Sequence, residues 1–301
     1  MMLALAVFVG LSLIDWLSSI STQTRQSAPQ DAGSYQNEGV TVPPTTQNPP
    51  PLPEPQTYAQ ATQWMQDNTL YGQAVAVPVR CDLASMDVRT ASKAQLQQHL
   101  NDLTGCLMRV WTPPLQAAGF QVVRPPVTVY SSQVRTPCGT MPMMNAAYCA
   151  ADQRIYYATD LPNSIPPQLV GTPFMVDSVV AHEFGHAIQA RSGILISEAA
   201  WQQQVSDAQG LQLSRRTEVQ ADCLAGEFIN AVSQSQNLTT ADRQNLGSLF
   251  YSIGDDVLTG DPNKLGNHGQ GANRQAWFNA GLGDPQLGVC NSFTAPADAV
   301  R

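Results

Sequence analysis

The chain has 301 residues, of which 43% are hydrophobic and 13% are charged, and its formal net charge is −8. This length and composition predict a folded core, in one large domain or two small ones. Because nucleic-acid binding needs clustered Lys and Arg, an acidic chain without a basic stripe is a poor candidate for it, and we expect no nucleic-acid partner.

The chain begins with a hydrophobic segment, MLALAVFVGLSLI at residues 2–14, which no charge interrupts before Asp15. Its length suits the core of a signal peptide better than a transmembrane helix, which needs about 20 residues. No Lys or Arg precedes it and no clear cleavage site follows, so residues 1–20 are predicted to be either a signal peptide or a membrane anchor. Either interpretation predicts an extracytoplasmic protein, secreted or anchored in the membrane by this one segment.

The next segment is rich in proline, with seven prolines between Pro43 and Pro55. Such a composition buries too little apolar surface to offset chain entropy, and it favours extended polyproline II. Residues 21–56 are therefore predicted to be a disordered linker, and residues 57–301 the folded domain.

Helices and short strands alternate in the first half of this domain. Leucines at helical spacing predict a helix from Ser92 that ends or kinks at Pro113 and Pro114. Residues 121–130 and 153–158 have the residue pattern of strands. The second strand includes Tyr156 and Tyr157, for which core packing is the default and a place at the cleft the alternative.

Three further helices follow these strands. Thr172 and Pro173 resemble a helix start, and they predict a helix that runs to Gly193. A second long helix is expected over about residues 213–234 and a third over about 240–258. The predicted fold class is α+β, mostly helical with a small sheet.

The first of these helices contains SVVAHEFGHAIQARSG, residues 178–193, with two of the chain's four histidines. His182 and His186 are four residues apart, so both imidazoles project from one face of a helix, about 6 Å apart. With Glu183 they form H-E-x-x-H, in which two imidazoles bind zinc and the carboxylate lies beside the catalytic water.

The second helix supplies a candidate third ligand. Glu218 and Asp222 are also four residues apart, on a stripe that continues through Ala225 and Ile229 and so faces the core. Carboxylates on such a stripe are costly unless they are paired or bind a metal. We expect Glu218 to be the third ligand of Zn²⁺ and Asp222 to accept the second N–H of a liganding histidine. The alternative is a surface ion pair between Glu218 and a neighbouring arginine.

These parts predict a metal-dependent hydrolase. Three protein ligands leave a fourth position for water, whose pKa zinc lowers, and Glu183 is the expected general base. His268, in a Gly-rich loop, is a candidate second electrophile, and an exposed loop histidine is the alternative. The predicted partner is a peptide or protein substrate. A non-catalytic module in which zinc joins two helices is a second hypothesis, and the intact Glu183 argues against it.

Several short motifs in a fixed order resemble the family of bacterial putative neutral zinc metallopeptidases, a zincin group. They are CG at residue 138, YCAADQRIYY, VVAHEFGHAIQ, RRTEVQADCLAG, IGDD, HG with RQAWF, and a late cysteine followed by NSF, and they span about residues 95–294. The resemblance implies a zincin-like peptidase with ligands His182, His186 and Glu218 and base Glu183. Ala187 and Ile188 depart from the family pattern, as does VCNSF, which leaves the substrate preference open.

Six cysteines allow 15 disulfide connectivities. Cys138 with Cys149 closes a short loop and matches positions that are paired in the family that the chain resembles. Cys223 with Cys290 is the next expected pair, and Cys81 with Cys106 then remains. Disulfides agree with a location outside the cytoplasm.

Overall fold

The computed structural model describes residues 35–301, which form one compact unit, Tyr35–Arg301. Residues 1–20, predicted to be a signal peptide or anchor, and the first part of the predicted linker lie outside the described residues. Within the described part, no helix combines the length and the apolar character that a membrane crossing needs.

Helices make up most of this unit. Residues 35–301 contain α1 (Tyr58–Gln66), α2 (Lys93–Ala117), α3 (Met175–Arg191), α4 (Ile194–Gln202), α5 (Asp207–Val232), α6 (Thr240–Ser252), α7 (Asp255–Thr259) and α8 (Gly271–Gly283). The strands are β1 (Val127–Tyr130), β2 (Val134–Thr136), β3 (Gly139–Met141), β4 (Ala146–Cys149) and β5 (Arg154–Ala158). The predicted α+β class, mostly helical with a small sheet, is confirmed.

The main sheet is mixed and has the strand order β1-β5-β4. β1 pairs with β5 in parallel, with Val127 opposite Ile155, and β4 pairs with β5 in antiparallel, with Ala146 opposite Tyr157. β2 and β3 form a separate hairpin. Among the described strands, β4 is therefore at one edge of the main sheet, next to α3.

The core lies between α2, this sheet and the helices α3, α5 and α8. Apolar residues of α2 at helical spacing, including Leu96, Leu100, Leu103 and Leu107, are almost fully buried. On the far side of α5, Phe278 of α8 stacks on Phe250 of α6 with ring centroids 4.4 Å apart. As a result α5 is covered on several sides, and its charged residues Arg215, Asp222 and Glu227 are buried.

Of the two predicted effects of the prolines in α2, an end or a kink, the end is wrong, because the helix continues through Pro113 and Pro114 to Ala117. Proline has no N–H, so Pro113 leaves the carbonyl of Arg109 without its helical donor. The side-chain amide of Asn37 donates to that carbonyl at 3.2 Å. Asn37, which is distant in the chain, thus supplies the donor that the helix lacks at this turn. Residue spacing in the sequence does not reveal such a partner.

Other helix boundaries also differ from the prediction, and α5 starts at Asp207 instead of near residue 213. Thr172 does not cap α3, because its hydroxyl accepts a hydrogen bond from Asn245. The helix starts three residues later, at Met175, and the backbone of the preceding Phe174 is in the left-handed region. The predicted helix 240–258 is two helices, α6 and α7. They separate where the N–H of Asp255 donates to the carbonyl of Gly269 instead of continuing the helix.

The predicted disordered linker is not disordered over residues 35–56. Tyr35 is buried, and the carbonyl of Pro50 accepts hydrogen bonds from the side chains of Gln153 at 2.8 Å and Arg191 at 3.0 Å. Prolines lack N–H groups, so an extended proline-rich segment cannot pair its own carbonyls. Donors on the domain bond to these carbonyls, and the compact unit of the described residues includes residues 35–56 as well as 57–301.

All three predicted disulfides are present: Cys81–Cys106, Cys138–Cys149 and Cys223–Cys290. The described residues contain no free cysteine. The second bridge joins the β2–β3 turn to the end of β4, and the third ties α5 to the C-terminal part of the chain. These bridges indicate folding in an oxidising compartment outside the cytoplasm.

Candidate metal centre

The centre forms where α3 crosses α5. The crossing is close because Gly185 faces Ala221, and a Cβ added at Gly185 would lie 3.1 Å from the Cα of Ala221. Glycine inside a helix costs about 1 kcal/mol relative to alanine, and here the close contact accounts for it. The two i, i+4 pairs of α3 and α5 therefore come face to face.

Three side chains from these helices converge. Nε2 of His182 lies 3.1 Å from Nε2 of His186 and 3.3 Å from Oε2 of Glu218. Nε2 of His186 lies 3.5 Å from Oε1 of Glu218. Among the described residues this is the one group of three or more His, Cys, Asp or Glu side chains whose ligand atoms all lie within 4.8 Å of one another.

A hydrogen bond on the far side of the His186 ring sets its orientation. Nδ1 lies 2.8 Å from Oε1 of Gln189. The amide nitrogen of Gln189 donates to the carbonyl of Thr217 at 2.8 Å and to Oε1 of Gln220 at 3.0 Å, so its oxygen is the atom that faces His186. His186 therefore donates from Nδ1 and keeps its lone pair on Nε2, toward the centre.

His182 has a carboxylate on the far side of its ring. Its Nδ1 lies 2.8 Å from Oδ1 of Asp222, although the ring N–H is poorly aligned with that oxygen. Nε and Nη2 of Arg274 donate to the two oxygens of Asp222 at 2.9 and 2.8 Å. Asp222 and Arg274 are both buried, so the pair forms a fixed support behind His182.

The arrangement fits a divalent cation. The two Nε2 atoms and a carboxylate converge, and their lone pairs repel one another unless a proton or a metal cation lies between them. Zinc bonds of about 2.0–2.1 Å at tetrahedral angles place neighbouring ligand atoms about 3.3 Å apart. The two Nε2 atoms are 3.1 Å apart, that of His182 lies 3.3 Å from Oε2 of Glu218, and that of His186 lies 3.5 Å from the other oxygen, Oε1. Two imidazoles and one carboxylate also suit zinc chemically.

Electrostatics at the centre favour positive charge. Burial by itself lowers the pKa of His182, but the carboxylates of Asp222 and Glu218 outweigh it and raise that pKa to about 10. Burial raises the pKa of Glu218, but His186, His182 and Arg274 together hold it well below its usual range. Glu218 is therefore an anion at neutral pH, as a metal ligand must be.

Glu183, the predicted base, lies next to this cluster on α3. Its side chain is largely buried, and Oε2 accepts a hydrogen bond from the backbone N–H of Tyr148 at 2.7 Å. Tyr148 is in β4, so the edge strand holds one oxygen of the carboxylate. The other oxygen, Oε1, accepts no hydrogen bond from the described residues.

A cavity of about 210 Å³ opens beside the cluster. Its lining includes Tyr148, His186, Leu195, Glu198, Thr217 and Glu218. Because two of the three converging side chains form part of its wall, a molecule in this cavity would lie against the centre.

The structure brings together His182, His186, Glu218 and Asp222 as the sequence predicted, and their metal-binding role stays a prediction. It does not bring His268 to them. The ring of His268 is half-exposed, and its Nδ1 lies 3.4 Å from Oδ1 of Asp255. Tyr156 and Tyr157 are buried, in agreement with the default of core packing.

Sequence reasoning missed three residues at the centre. Arg274 lies within the RQAWF motif, which marks the residue but does not indicate its role. Gln189 follows His186 by three residues, the spacing of neighbours on one helix face. Glu198 carries no motif, and only the packing of α4 shows that it lines the cavity.

Comparison with known proteins agrees with this geometry. A family model described as "Putative neutral zinc metallopeptidase" matches residues 69–293. An uncharacterized protein of Mycobacterium tuberculosis is 34% identical over 206 residues, which is 62% of this chain and 67% of the relative. The uncharacterized protein YpfJ of Escherichia coli is 30% identical over 191 residues, 61% of this chain and 66% of the relative. No solved structure matches the chain.

Proposed function

Because the chain belongs to the family of putative neutral zinc metallopeptidases, we propose that it is a zinc-dependent peptidase that hydrolyses peptide bonds outside the cytoplasm. The observation that carries the proposal is the convergence of His182, His186 and Glu218 beside Glu183. The three predicted ligands come from two crossing helices, and the base is adjacent to the first of them.

His182 and His186 would bind the ion through Nε2, and Glu218 would bind it through its carboxylate. When bound, Zn²⁺ supplies a Lewis acid for the scissile carbonyl and a water of lowered pKa. The protein's own contribution is orientation, because Gln189 holds one imidazole while Asp222 and Arg274 hold the other. Such supports fix the ring positions and raise ligand basicity.

Glu183 carries the proton in this proposal. The N–H of Tyr148 holds Oε2, so Oε1 is available to take a proton from the attacking water. The same oxygen then delivers that proton to the nitrogen of the leaving amine. The cavity next to His186 and Glu218 provides room for the substrate at this position.

The proposal predicts that Glu183→Gln abolishes proteolysis but keeps the metal. A general base contributes about 10²–10⁴-fold to the rate, whereas the three ligands are untouched. The measurements are the turnover of an unfolded protein substrate, with and without a chelator, and the zinc content of each purified protein. The exposed Glu54 provides the control, since Glu54→Gln removes the same charge at the surface.

Unchanged turnover in Glu183→Gln would refute the assignment of the base. Stoichiometric zinc without turnover of any substrate in the wild type would instead favour a module in which zinc only joins α3 and α5.

A further inference from the structure

The cavity beside the metal centre contains a carboxylate that the proposed reaction does not use. Glu198 lies on α4, its exposed fraction is 5%, and it lines the cavity together with Glu218. Carboxylates are rarely buried to this extent without a positive partner. Among residues 35–301, no Lys, Arg or His lies within ion-pair distance of Glu198.

One neighbour holds Glu198 in place. The side-chain amide of Gln202, one turn further along α4, donates to its Oε1 and also to the hydroxyl of Ser214 at 2.8 Å. Oε2 accepts no hydrogen bond from a described residue, and it is not sealed from solvent. The carboxylate is therefore oriented through one oxygen, and the other is available to a molecule in the cavity.

The surrounding charges favour a cation at this position. With zinc bound, the ion and Arg274 carry three positive charges, and Glu183, Glu218 and Asp222 carry three negative ones. An ionised Glu198 leaves the region with net negative charge. Burial of Glu198 raises its pKa to about 7. The hydrogen bond from Gln202 lowers this pKa, and the charge of Glu218 raises it further. A positive group in the cavity would favour the ionised form.

The size and lining of the cavity limit the occupant. Small-molecule sites are commonly about 300–1,000 Å³, whereas this cavity is about 210 Å³, which suits a single side chain. Leu195 and Tyr148 give it an apolar part, and Glu198 gives it an anionic part. A side chain with an apolar stem and a positive end matches both.

We propose that Glu198 is a specificity-determining residue that binds the side chain of a lysine or arginine next to the scissile bond of the substrate. This inference rests on the proposed peptidase function, and it names the substrate class of that site. Gln202 acts as the positioning residue that holds the carboxylate toward the cavity.

The test uses the full chain with zinc and matched pairs of peptides that contain either arginine or citrulline, which has nearly the same shape without the charge. A charge-assisted hydrogen bond in a desolvated site predicts that kcat/KM for the arginine peptide is higher by about tenfold or more. Peptides with arginine or citrulline before the scissile bond, and others with them after it, identify which side of that bond the cavity binds. Peptides with lysine or norleucine provide a second comparison of a charged with an uncharged side chain.

Glu198→Gln keeps the size of the side chain and removes its charge. We expect it to reduce the preference for arginine to within about twofold, with turnover of the citrulline peptide retained. Glu54→Gln, at an exposed residue that does not line the cavity, is the matched control and keeps the preference. If Glu198→Gln fails to fold, equal wild-type kcat/KM for arginine and citrulline would still overturn the inference.

Cleavage with equal kcat/KM for arginine and citrulline would overturn the inference and leave the peptidase proposal intact. If no peptide is cleaved, the peptidase proposal fails, and the affinities of the same peptides for Glu183→Gln decide the inference. Binding that favours arginine supports a cation site at Glu198, whereas equal binding rejects it.

Discussion

Asp222 is the residue that joins the metal centre to the rest of the molecule. Its Oδ1 lies 2.8 Å from Nδ1 of His182 and accepts a hydrogen bond from Arg274 at 2.8 Å. A free carboxylate at this depth would be very costly, and Arg274 supplies the compensating charge. Asp222 thus orients the ring of His182, and Arg274 in turn fixes Asp222. Outer-shell partners of this kind are usual behind the ligands of metal sites.

Asp222→Asn should weaken zinc binding by about 10–100-fold, the cost typical of losing a support behind a metal ligand. The amide keeps an oxygen and the size of the side chain but removes the charge that orients His182. A competition titration with a chromophoric chelator measures the affinity. Asp102→Asn is the matched control, because Asp102 is an exposed residue of α2 whose carboxylate accepts hydrogen bonds from Gln98 alone among the described side chains.

The same substitution leaves the guanidinium of Arg274 buried without its carboxylate, so the free energy of unfolding should fall as well. The titration must therefore be made where the metal-free variant is still folded, which circular dichroism checks. Wild-type zinc affinity in a folded Asp222→Asn protein would show that Asp222 serves stability alone.

At the scale of helices and strands, the sequence predicted the helices whose apolar or ligand-type residues repeat at helical spacing. The leucines of α2, the pair His182 and His186, and the pair Glu218 and Asp222 each repeat at helical spacing, and each lies on a buried face. The small sheet and the fold class followed from the same patterns. The convergence of His182, His186 and Glu218 was predictable because both pairs were visible and one glycine marked the crossing.

The features that the sequence did not predict depend on partners that are distant in the chain. α2 passes its prolines because Asn37 supplies a donor 72 residues away. Glu198 lines the cavity only because α4 packs beside α5. The composition of the proline-rich segment predicts disorder, because the segment can bury little apolar surface. In the structure its carbonyl groups hold it instead, by accepting hydrogen bonds from Gln153 and Arg191.

That segment provides a prediction about stability. A chain of residues 57–301 should be less stable than a chain of residues 35–301 by at least about 2 kcal/mol, because the hydrogen bonds that Arg191 and Gln153 donate to Pro50 would be lost. Such a bond contributes about 1.5–3 kcal/mol from a charged donor and about 0.5–1.5 kcal/mol from a neutral one. Urea denaturation of the two chains measures the difference. Equal midpoints and slopes would show that residues 35–56 rest on the domain without stabilising it.

At the scale of the whole molecule, disulfides fasten the parts that flank the site. Cys223 follows Asp222 directly on α5, and its bridge to Cys290 brings the C-terminal part against the helix that carries Glu218. Cys138–Cys149 joins the β2–β3 turn to the end of β4, the strand whose Tyr148 contacts Glu183. Both sides of the site thus depend on an oxidising compartment.

The two bridges should differ in their contribution to stability. Their cysteines are separated by 67 and 11 residues, and on the chain-entropy model loops of these lengths contribute about 4.4 and about 2.8 kcal/mol. Cys223→Ala with Cys290→Ala should therefore reduce the free energy of unfolding more than Cys138→Ala with Cys149→Ala. Urea unfolding in the presence of a chelator measures both variants without a contribution from zinc. A larger decrease in the free energy of unfolding on loss of Cys138–Cys149 would contradict this prediction. It would show that local packing around β4, and not the entropy of the unfolded chain, determines which bridge contributes more.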